Sequence, residues 1–153
     1  MAIKIGKAGG IGVIHRNLNI DKQIQEIRKV KKQKVLVGAA VGAGPKEFKR
    51  AEAILKENIN MIVVDTAHGH TKKVSEIIKF IKNKKNKKTA LCAGNIATAD
   101  AGRFLSKLGV DIIKVGIGPG SICTTRLVAG IGVPQLTAVL NVKNGVKNRN
   151  VKI

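Results

Sequence analysis

The sequence predicts an α/β fold built on a parallel sheet, because short apolar runs alternate with amphipathic stretches along the chain. The five runs are rich in Val, Ile and Ala, and most of them end in Gly or a polar turn. Such runs are typical of strands that a parallel sheet buries on both faces. Strand and helix repeat at intervals of about two to three dozen residues, as in consecutive β-α units. The predicted strands are 11–15, 35–41, 61–65, 90–94 and 111–116.

The stretches between these runs have helical spacing, and local signals mark their ends. Asn19 opens the first helix, and Pro45 opens the second at a first-turn position that suits proline. The fourth helix starts near Thr98 and ends at Gly109, a residue type common just past a helix end. After the third helix, the lysine-rich segment 82–88 is predicted to be an exposed connection. The inward-facing residues are Ile20, Ile24, Ile27, Val30, Phe48, Ala51, Ile54, Leu55, Val74, Ile77, Ile78, Ile81, Ala101, Phe104, Leu105 and Leu108.

Composition excludes several classes of protein. The chain has 153 residues, enough for one domain, and its 44% hydrophobic content exceeds that of a disordered basic tail. No apolar run approaches the roughly 20 residues of a membrane span, and the first residues show no secretory signal. Two cysteines are too few for a disulfide scaffold, so we expect both to be reduced and the protein to be cytoplasmic.

The charge of +20 has two interpretations. It could attract nucleic acid or anionic substrates, or it could reflect lysine-rich helix faces that are simply solvated. Trp and Tyr are absent, and Phe48, Phe80 and Phe104 all lie in apolar helical patterns, so platforms for base stacking are missing. We therefore favour solvated faces and expect no nucleic-acid partner, although phosphate-bearing small molecules would still be attracted.

The carboxyl ends of parallel strands meet at one edge of a sheet, and ligands commonly bind there. The segment from Gly116 to Arg126 follows the fifth strand and carries three glycines in five residues, which free the backbone to approach a phosphate. Its spacing is neither a dinucleotide fingerprint nor a P-loop. Within it, Cys123 could be a nucleophile held as thiolate near Arg126, or a small buried hydrophobe.

Other strand ends also carry candidate residues. Asp65 could accept hydrogen bonds from ribose hydroxyls, or it could cap the next helix. Asn95 could present its amide to a ligand or form a turn. The His-Gly-His sequence at 68–70 lacks a nearby third ligand, so we expect no metal site there. Cys92 lies inside an apolar run, where a packing role is expected.

Several segments together resemble the inosine-5′-monophosphate (IMP) dehydrogenase family, in order and over essentially the whole chain. The strongest match looks like the family's catalytic cysteine loop, which is shared only with the sister family of guanosine-monophosphate (GMP) reductases. The segments at 65–70 and 128–130 look more like the dehydrogenase. The matching segments are Gly9–Asn17, Val37–Gly42, Asp65–His70, Ala93–Ile96, Val115–Arg126 and Gly132–Gln135.

The resemblance implies a (β/α)8 barrel that oxidises IMP to XMP with NAD⁺ in guanine nucleotide biosynthesis. By this resemblance Cys123 attacks the purine C2, hydride leaves to NAD⁺, water hydrolyses the adduct, and Thr125 lies near the reacting centre. Ser121 and Gly120 match the substrate side, and the family forms homotetramers. The matching cofactor-side residues are Asp65, Thr66, Asn95, Gly116 and Gly118. The matching potassium ligands are the carbonyls of Gly118, Gly120 and Cys123.

The chain also departs from the family pattern. A complete barrel needs about 250 residues, so residues 1–153 are predicted to form one partial barrel of five to six β/α units, the sixth strand beginning at Val151. Lys29–Lys34 runs directly into the next strand, so no regulatory CBS module is inserted there. The family's first strand, its Asp-Gly-Gly ribose site and its mobile flap have no counterpart in this sequence.

Three functional hypotheses stay open at this point. The chain is an IMP dehydrogenase segment that is active only together with its missing parts, a GMP reductase-type enzyme, or a non-catalytic barrel fragment that binds anionic ligands or partner subunits. An incomplete barrel leaves sheet edges open, so we expect a homo-oligomer rather than a monomer.

Overall fold

The computed structural model describes residues 1–153 and contains one sheet of five parallel strands that lie side by side in chain order. Every neighbouring pair is parallel, which confirms the predicted α/β class, and the open sheet fits part of a (β/α)8 barrel. Only the third strand has the predicted bounds: the first, second and fifth are shorter by one or two residues at one or both ends, and the fourth continues past Gly94, so Asn95 lies within it. The strands are Gly12–Ile14 (β1), Val37–Val41 (β2), Met61–Asp65 (β3), Ala90–Ile96 (β4) and Ile112–Val115 (β5).

All four predicted helices form, and the local signals act as expected. The side chain of Asn19 accepts a hydrogen bond from the Lys22 N–H at 2.8 Å, and Thr98 caps its helix in the same way. Gly109 ends that helix with a φ of +77°, in the left-handed region that favours glycine. The helices are Ala2–Lys7 (α1), Ile20–Lys31 (α2), Pro45–Lys56 (α3), Lys72–Lys84 (α4), Ala99–Leu108 (α5), Thr125–Ala129 (α6) and Gln135–Gly145 (α7).

Three helices, α1, α6 and α7, were not predicted. In α7 the buried Ala138 and Val142 share the helix with the exposed Leu136 and Leu140, so its apolar residues do not mark a single face. The segment 82–88, expected to be a connection, is partly helical because α4 continues to Lys84. No helix of the chain is both long and apolar enough to cross a bilayer.

The two faces of the sheet differ in how they are covered. One face packs against the helices and supplies much of a core of 23 buried residues, with Ile62 and Leu91 fully buried. The opposite face, which we call the inner face, borders a cavity of about 310 Å³ lined by Val13, Val63 and Cys92 among others. Val13 keeps 41% of its surface exposed there, so the inner face is not fully buried, although the sequence predicted strands buried on both faces.

Both edges of the sheet are open. The outer side of β1 has no strand partner. At the other edge, the Ile113 N–H donates to the Lys152 carbonyl at 2.8 Å, and the Lys152 N–H donates to the Asp111 carbonyl at 3.0 Å. This parallel bridge lies where the sixth strand was predicted to begin.

A buried glutamine joins the first two strands to the helices that follow them. The fully buried Gln23 of α2 donates through Nε2 to the carbonyls of Ile14 (3.2 Å) and Ala40 (2.9 Å). Its Oε1 accepts a hydrogen bond from Arg50 of α3 at 2.7 Å. The amide therefore satisfies two carbonyls and one guanidinium, groups that are costly to bury without partners.

We predict that Gln23→Ala lowers the free energy of unfolding by about 2 kcal/mol or more, because it removes all three hydrogen bonds of a buried amide. Urea denaturation followed by circular dichroism measures the loss. Gln25→Ala, an exposed change on the same helix, is the matched control and should stay within about 0.5 kcal/mol of wild type. Equal stabilities of the two variants would contradict this role of Gln23.

Candidate active site

Three polar side chains meet on adjacent strands at the carboxyl edge of the sheet. Asp65 pairs in register with Gly94, and Gly94 with Lys114, so β3, β4 and β5 place Asp65, Asn95 and Lys114 side by side. The Lys114 ammonium donates to Asp65 Oδ1 at 2.8 Å and to Asn95 Oδ1 at 3.1 Å. We call these residues the polar trio.

The polar trio leaves hydrogen-bonding atoms available for a ligand. Asp65 Oδ2 and Asn95 Nδ2 have no partner within the protein, and the Asp65 side chain is 44% exposed. The trio therefore offers one anionic acceptor and one amide donor. Asp65 does not cap α4, because Thr71 caps that helix, so the capping alternative was wrong.

Sequence reasoning missed Lys114. The signal was present, since a lysine interrupts an otherwise apolar strand between Ile113 and Val115. A cation in such a run needs an anionic partner or solvent, and here Asp65 supplies the charge.

Two other predicted cofactor residues hold backbone in place. The Thr66 hydroxyl donates to the Gly94 carbonyl at 2.7 Å, so it is already engaged. The N–H of Gly116 donates to the Ile96 carbonyl at 2.9 Å. Gly116 has a φ of +136°, and a Cβ there would lie 2.8 Å from Gln135 Oε1. Both residues therefore fix the ends of β3 and β5, where the polar trio lies.

The segment 116–134, which we call the cysteine loop, folds back on itself. The Val133 N–H donates to the Ile117 carbonyl at 3.0 Å and closes the loop at its base. Inside it lies the stem of Arg126: a Cβ at Gly118 would be 2.9 Å from Arg126 Cγ, and one at Gly132 would be 2.5 Å from the same atom. Glycine at these two positions therefore makes room for the arginine.

Cys123 lies in this loop beside a hydroxyl. Its Sγ is 3.2 Å from Thr125 Oγ1, and the thiol is partly exposed, so it is not a buried hydrophobe. Hydrogen bonds from the Thr125 side chain and then its backbone lower the pKa of Cys123, and the charge of Arg126 adds to the effect. In Cys92, which is 6% exposed, burial raises the thiol pKa to about 11. The two thiols are thus tuned in opposite directions.

The cysteine loop also presents backbone carbonyls. Those of Gly118 and Cys123 accept no hydrogen bond from the protein, and that of Gly120 accepts one from the Cys123 N–H at 3.1 Å. Neutral carbonyl oxygens of this kind replace the hydration shell of potassium in other proteins. Ser121 is exposed. No group of three or more His, Cys, Asp or Glu could hold a metal ion, and the His70 ring packs on Phe104 at 4.4 Å between centroids.

The predicted site residues thus fall into two groups on one edge. The polar trio lies in β3, β4 and β5 near their carboxyl ends, and the cysteine loop follows β5, yet no hydrogen bond joins the two groups directly. The cavity on the inner face is lined by Asp65 and Lys114 of the polar trio and by no residue of the cysteine loop.

A protein-family profile described as the IMP dehydrogenase / GMP reductase domain matches residues 1–153. The chain belongs to this family. Over its whole length it is 37% identical to an inosine-5′-monophosphate dehydrogenase from Borreliella burgdorferi and spans 50% of that relative. Enzymes of the same name are 45% identical in Methanocaldococcus jannaschii and 49% identical in Halalkalibacterium halodurans, over 94% and 78% of this chain. The chain spans 29% and 24% of the lengths of these two relatives.

We predict that Cys123 reacts with iodoacetamide faster than Cys92 at neutral pH, because only its thiolate is stabilised. Thr125→Val removes the hydroxyl that lowers the pKa of Cys123, so alkylation should slow several-fold at neutral pH and its pH midpoint should move upward. Mass mapping of the labelled peptides measures both rates. Thr124→Val is the control, since its hydroxyl makes no contact with the thiol. An unchanged midpoint in Thr125→Val would contradict the assignment.

Proposed function

We propose that this chain is the catalytic segment of an IMP dehydrogenase, which oxidises IMP to XMP with NAD⁺ in guanine nucleotide synthesis. The observation that carries the proposal is the Cys123–Thr125 pair, a partly exposed thiol with a lowered pKa in a glycine-rich loop at the carboxyl edge. Relatives named inosine-5′-monophosphate dehydrogenase support the substrate.

In the proposed reaction the Cys123 thiolate attacks C2 of the hypoxanthine ring and forms an S–C2 bond. NAD⁺, when bound, accepts the hydride that leaves C2. Water then adds to C2 and the S–C2 bond breaks, which releases XMP, one proton and the thiolate. Thr125 donates to the sulfur whenever it carries negative charge, at the start and at the end of the cycle.

The polar trio is the proposed cofactor side of the site. Asp65 Oδ2 is placed to accept from a ribose hydroxyl, and Asn95 Nδ2 to donate to a carbonyl such as a carboxamide. Lys114 holds both side chains through its two hydrogen bonds. Thr66, Gly116 and Gly118 are proposed to contribute indirectly, by fixing the backbone conformation next to the polar trio and in the cysteine loop.

The cysteine loop is the proposed substrate side. Ser121 and Gly120 would contact the IMP phosphate, which the charge of the chain attracts. The carbonyls of Gly118, Gly120 and Cys123 are proposed to hold a potassium ion, which would fix the loop's shape around the thiol. We further propose that residues 1–153 form a single catalytic segment, a partial barrel without an inserted CBS module, in the cytoplasm.

The test is covalent capture of 6-chloropurine riboside 5′-monophosphate, whose chloride a thiolate displaces. We expect one adduct per chain on Cys123, none in Cys123→Ala, and unchanged reversible IMP binding by that variant. Cys92→Ala is the control and should label like wild type. Capture that survives Cys123→Ala would contradict the proposal. Turnover of IMP with NAD⁺, against GMP with NADPH, separates dehydrogenase from reductase.

We also propose that the chain works as a homo-oligomer. The edges of β1 and β5 leave backbone groups unpaired, and large apolar side chains of the cysteine loop and α7 are exposed. Light scattering should therefore give a mass of at least two chains. The mass of one chain, together with a single cooperative unfolding transition, would contradict this. The exposed apolar residues are Ile122, Leu127, Val128, Ile131, Leu136 and Leu140.

A further inference from the structure

The charge of the chain is concentrated at the end of the molecule opposite the candidate active site. Parallel strands alternating with helices place the amino ends of the strands and the carboxyl ends of the helices together. The segments at that end carry 16 of the 29 Lys and Arg residues and only two of the nine acidic ones. We call this surface the basic face; its segments are 28–36, 55–60, 81–89, 106–111 and 143–152.

The carboxyl edge is nearly neutral by comparison. The segments that follow the carboxyl ends of the five strands carry five basic and three acidic residues. The basic residues are therefore concentrated at one end of the fold and are not spread evenly over its surface. Those segments are 15–19, 42–47, 65–73, 94–100 and 116–134.

Each carboxylate of the basic face is already paired. Glu57 binds Arg28 at 2.7 Å, and Asp111 lies 3.3 Å from the Lys85 ammonium. Two further lysines of the face pair with carboxylates just outside it, Lys29 with Glu26 at 2.6 Å and Lys84 with Glu52 at 2.8 Å. The other cations of the basic face have no acidic partner. Exposed lysines of the basic face whose side chains make no hydrogen bond or ion pair are Lys32, Lys34, Lys56, Lys87, Lys88, Lys107, Lys143, Lys147 and Lys152.

Hydrogen bonds tie the segments of the basic face into one surface. The Arg28–Glu57 pair links the ends of α2 and α3. Asn86 Nδ2 donates to Asn58 Oδ1 at 3.2 Å and links the segments that follow α3 and α4. The Lys82 ammonium then donates to the Leu108 carbonyl at 2.8 Å. Beyond it, a cavity of about 420 Å³ between the ends of α5 and α7 is lined by Arg103, Ser106, Lys107, Gly145, Lys147 and Asn148.

Helix stability does not account for all of this charge. Lysines in the last turn of a helix interact favourably with its dipole, but the effect fades beyond that turn. Lys34, Lys87 and Lys88 lie in the connections, after the helices have ended. Their side chains are exposed and make no contact that stabilises the fold.

We propose that the basic face binds the phosphate backbone of a double-stranded nucleic acid. Protein interfaces are depleted in lysine, and membrane surfaces are bound through an apolar face that is missing here, where Leu36 is the main exposed hydrophobe. A duplex needs only cations and amide donors spread over a fixed surface. The expectation against nucleic acid rested on missing aromatic platforms, which single strands require and duplexes do not. This inference is independent of the proposed dehydrogenase activity.

The test is fluorescence anisotropy of the 153-residue chain with a labelled RNA duplex of about 20 base pairs over a series of salt concentrations. The face variant carries Lys32→Gln, Lys56→Gln, Lys87→Gln and Lys88→Gln. Its affinity should fall about tenfold or more near 0.1 M salt, and the slope of log affinity against log salt should flatten by about 2 to 4. The control variant, Lys22→Gln, Lys46→Gln, Lys72→Gln and Lys73→Gln, changes exposed lysines in the first turns of α2, α3 and α4. It has the same net charge as the face variant and should retain nearly all of the affinity.

Each alternative outcome overturns the proposal. Equal losses in the face and control variants would show that only net charge matters. Tighter binding to a single strand of the same length, or to vesicles of anionic phospholipid, would assign the face to a different partner. Circular dichroism melting of both variants verifies that they fold as the wild type does.

Discussion

The parallel pairing of all five strands is the constraint on which the rest of the molecule depends. Because neighbouring strands run in the same direction, the carboxyl ends of all five strands lie along one edge of the sheet. The helices that connect the strands lead the chain back to the opposite edge, where the strands begin. The first edge gathers Asp65, Asn95, Lys114 and the cysteine loop, whereas the second gathers most of the lysines. Reactive groups and surplus charge are thereby kept at opposite ends of a small domain.

The candidate site divides its work between side chains and backbone. Asp65 and Asn95 keep side-chain polar atoms free for a ligand, whereas the Thr66 hydroxyl and the Gly116 N–H form hydrogen bonds to carbonyls of the sheet. The reactivity of Cys123 in turn depends on Thr125, two residues along the chain, so the local loop conformation sets the thiol pKa without help from a distant element. A site of this kind is robust to changes elsewhere in the core but sensitive to the shape of one loop.

How much of the structure could be predicted from the sequence depends on how far apart along the chain the interacting residues lie. The caps Asn19 and Thr98 and the glycine at 109 act within one helical turn, so short-range patterns located the main helices. Lys114 could not be assigned a partner from its neighbours, because Asp65 lies 49 residues away and meets it only through strand register. The same limit hid α7, whose burial is decided by α5 and not by its own periodicity. The cysteine loop was found through family resemblance, since its glycine spacing alone is a weak signal.

The packing of Arg126 changes how that glycine spacing should be understood. Gly118 and Gly132 lie against the methylene stem of the arginine, so the missing side chains at these positions form a socket for the stem of an exposed residue. A truncation of Arg126 would remove a positive charge and empty that socket at once, and a loss of function could not be traced to either effect. Methionine or norleucine at position 126 would fill the socket without the charge. A larger residue at 132, where the backbone φ is not left-handed, would displace the stem and keep the charge nearby. The loop thus carries a built-in way to separate shape from electrostatics in the chemistry of a single thiol.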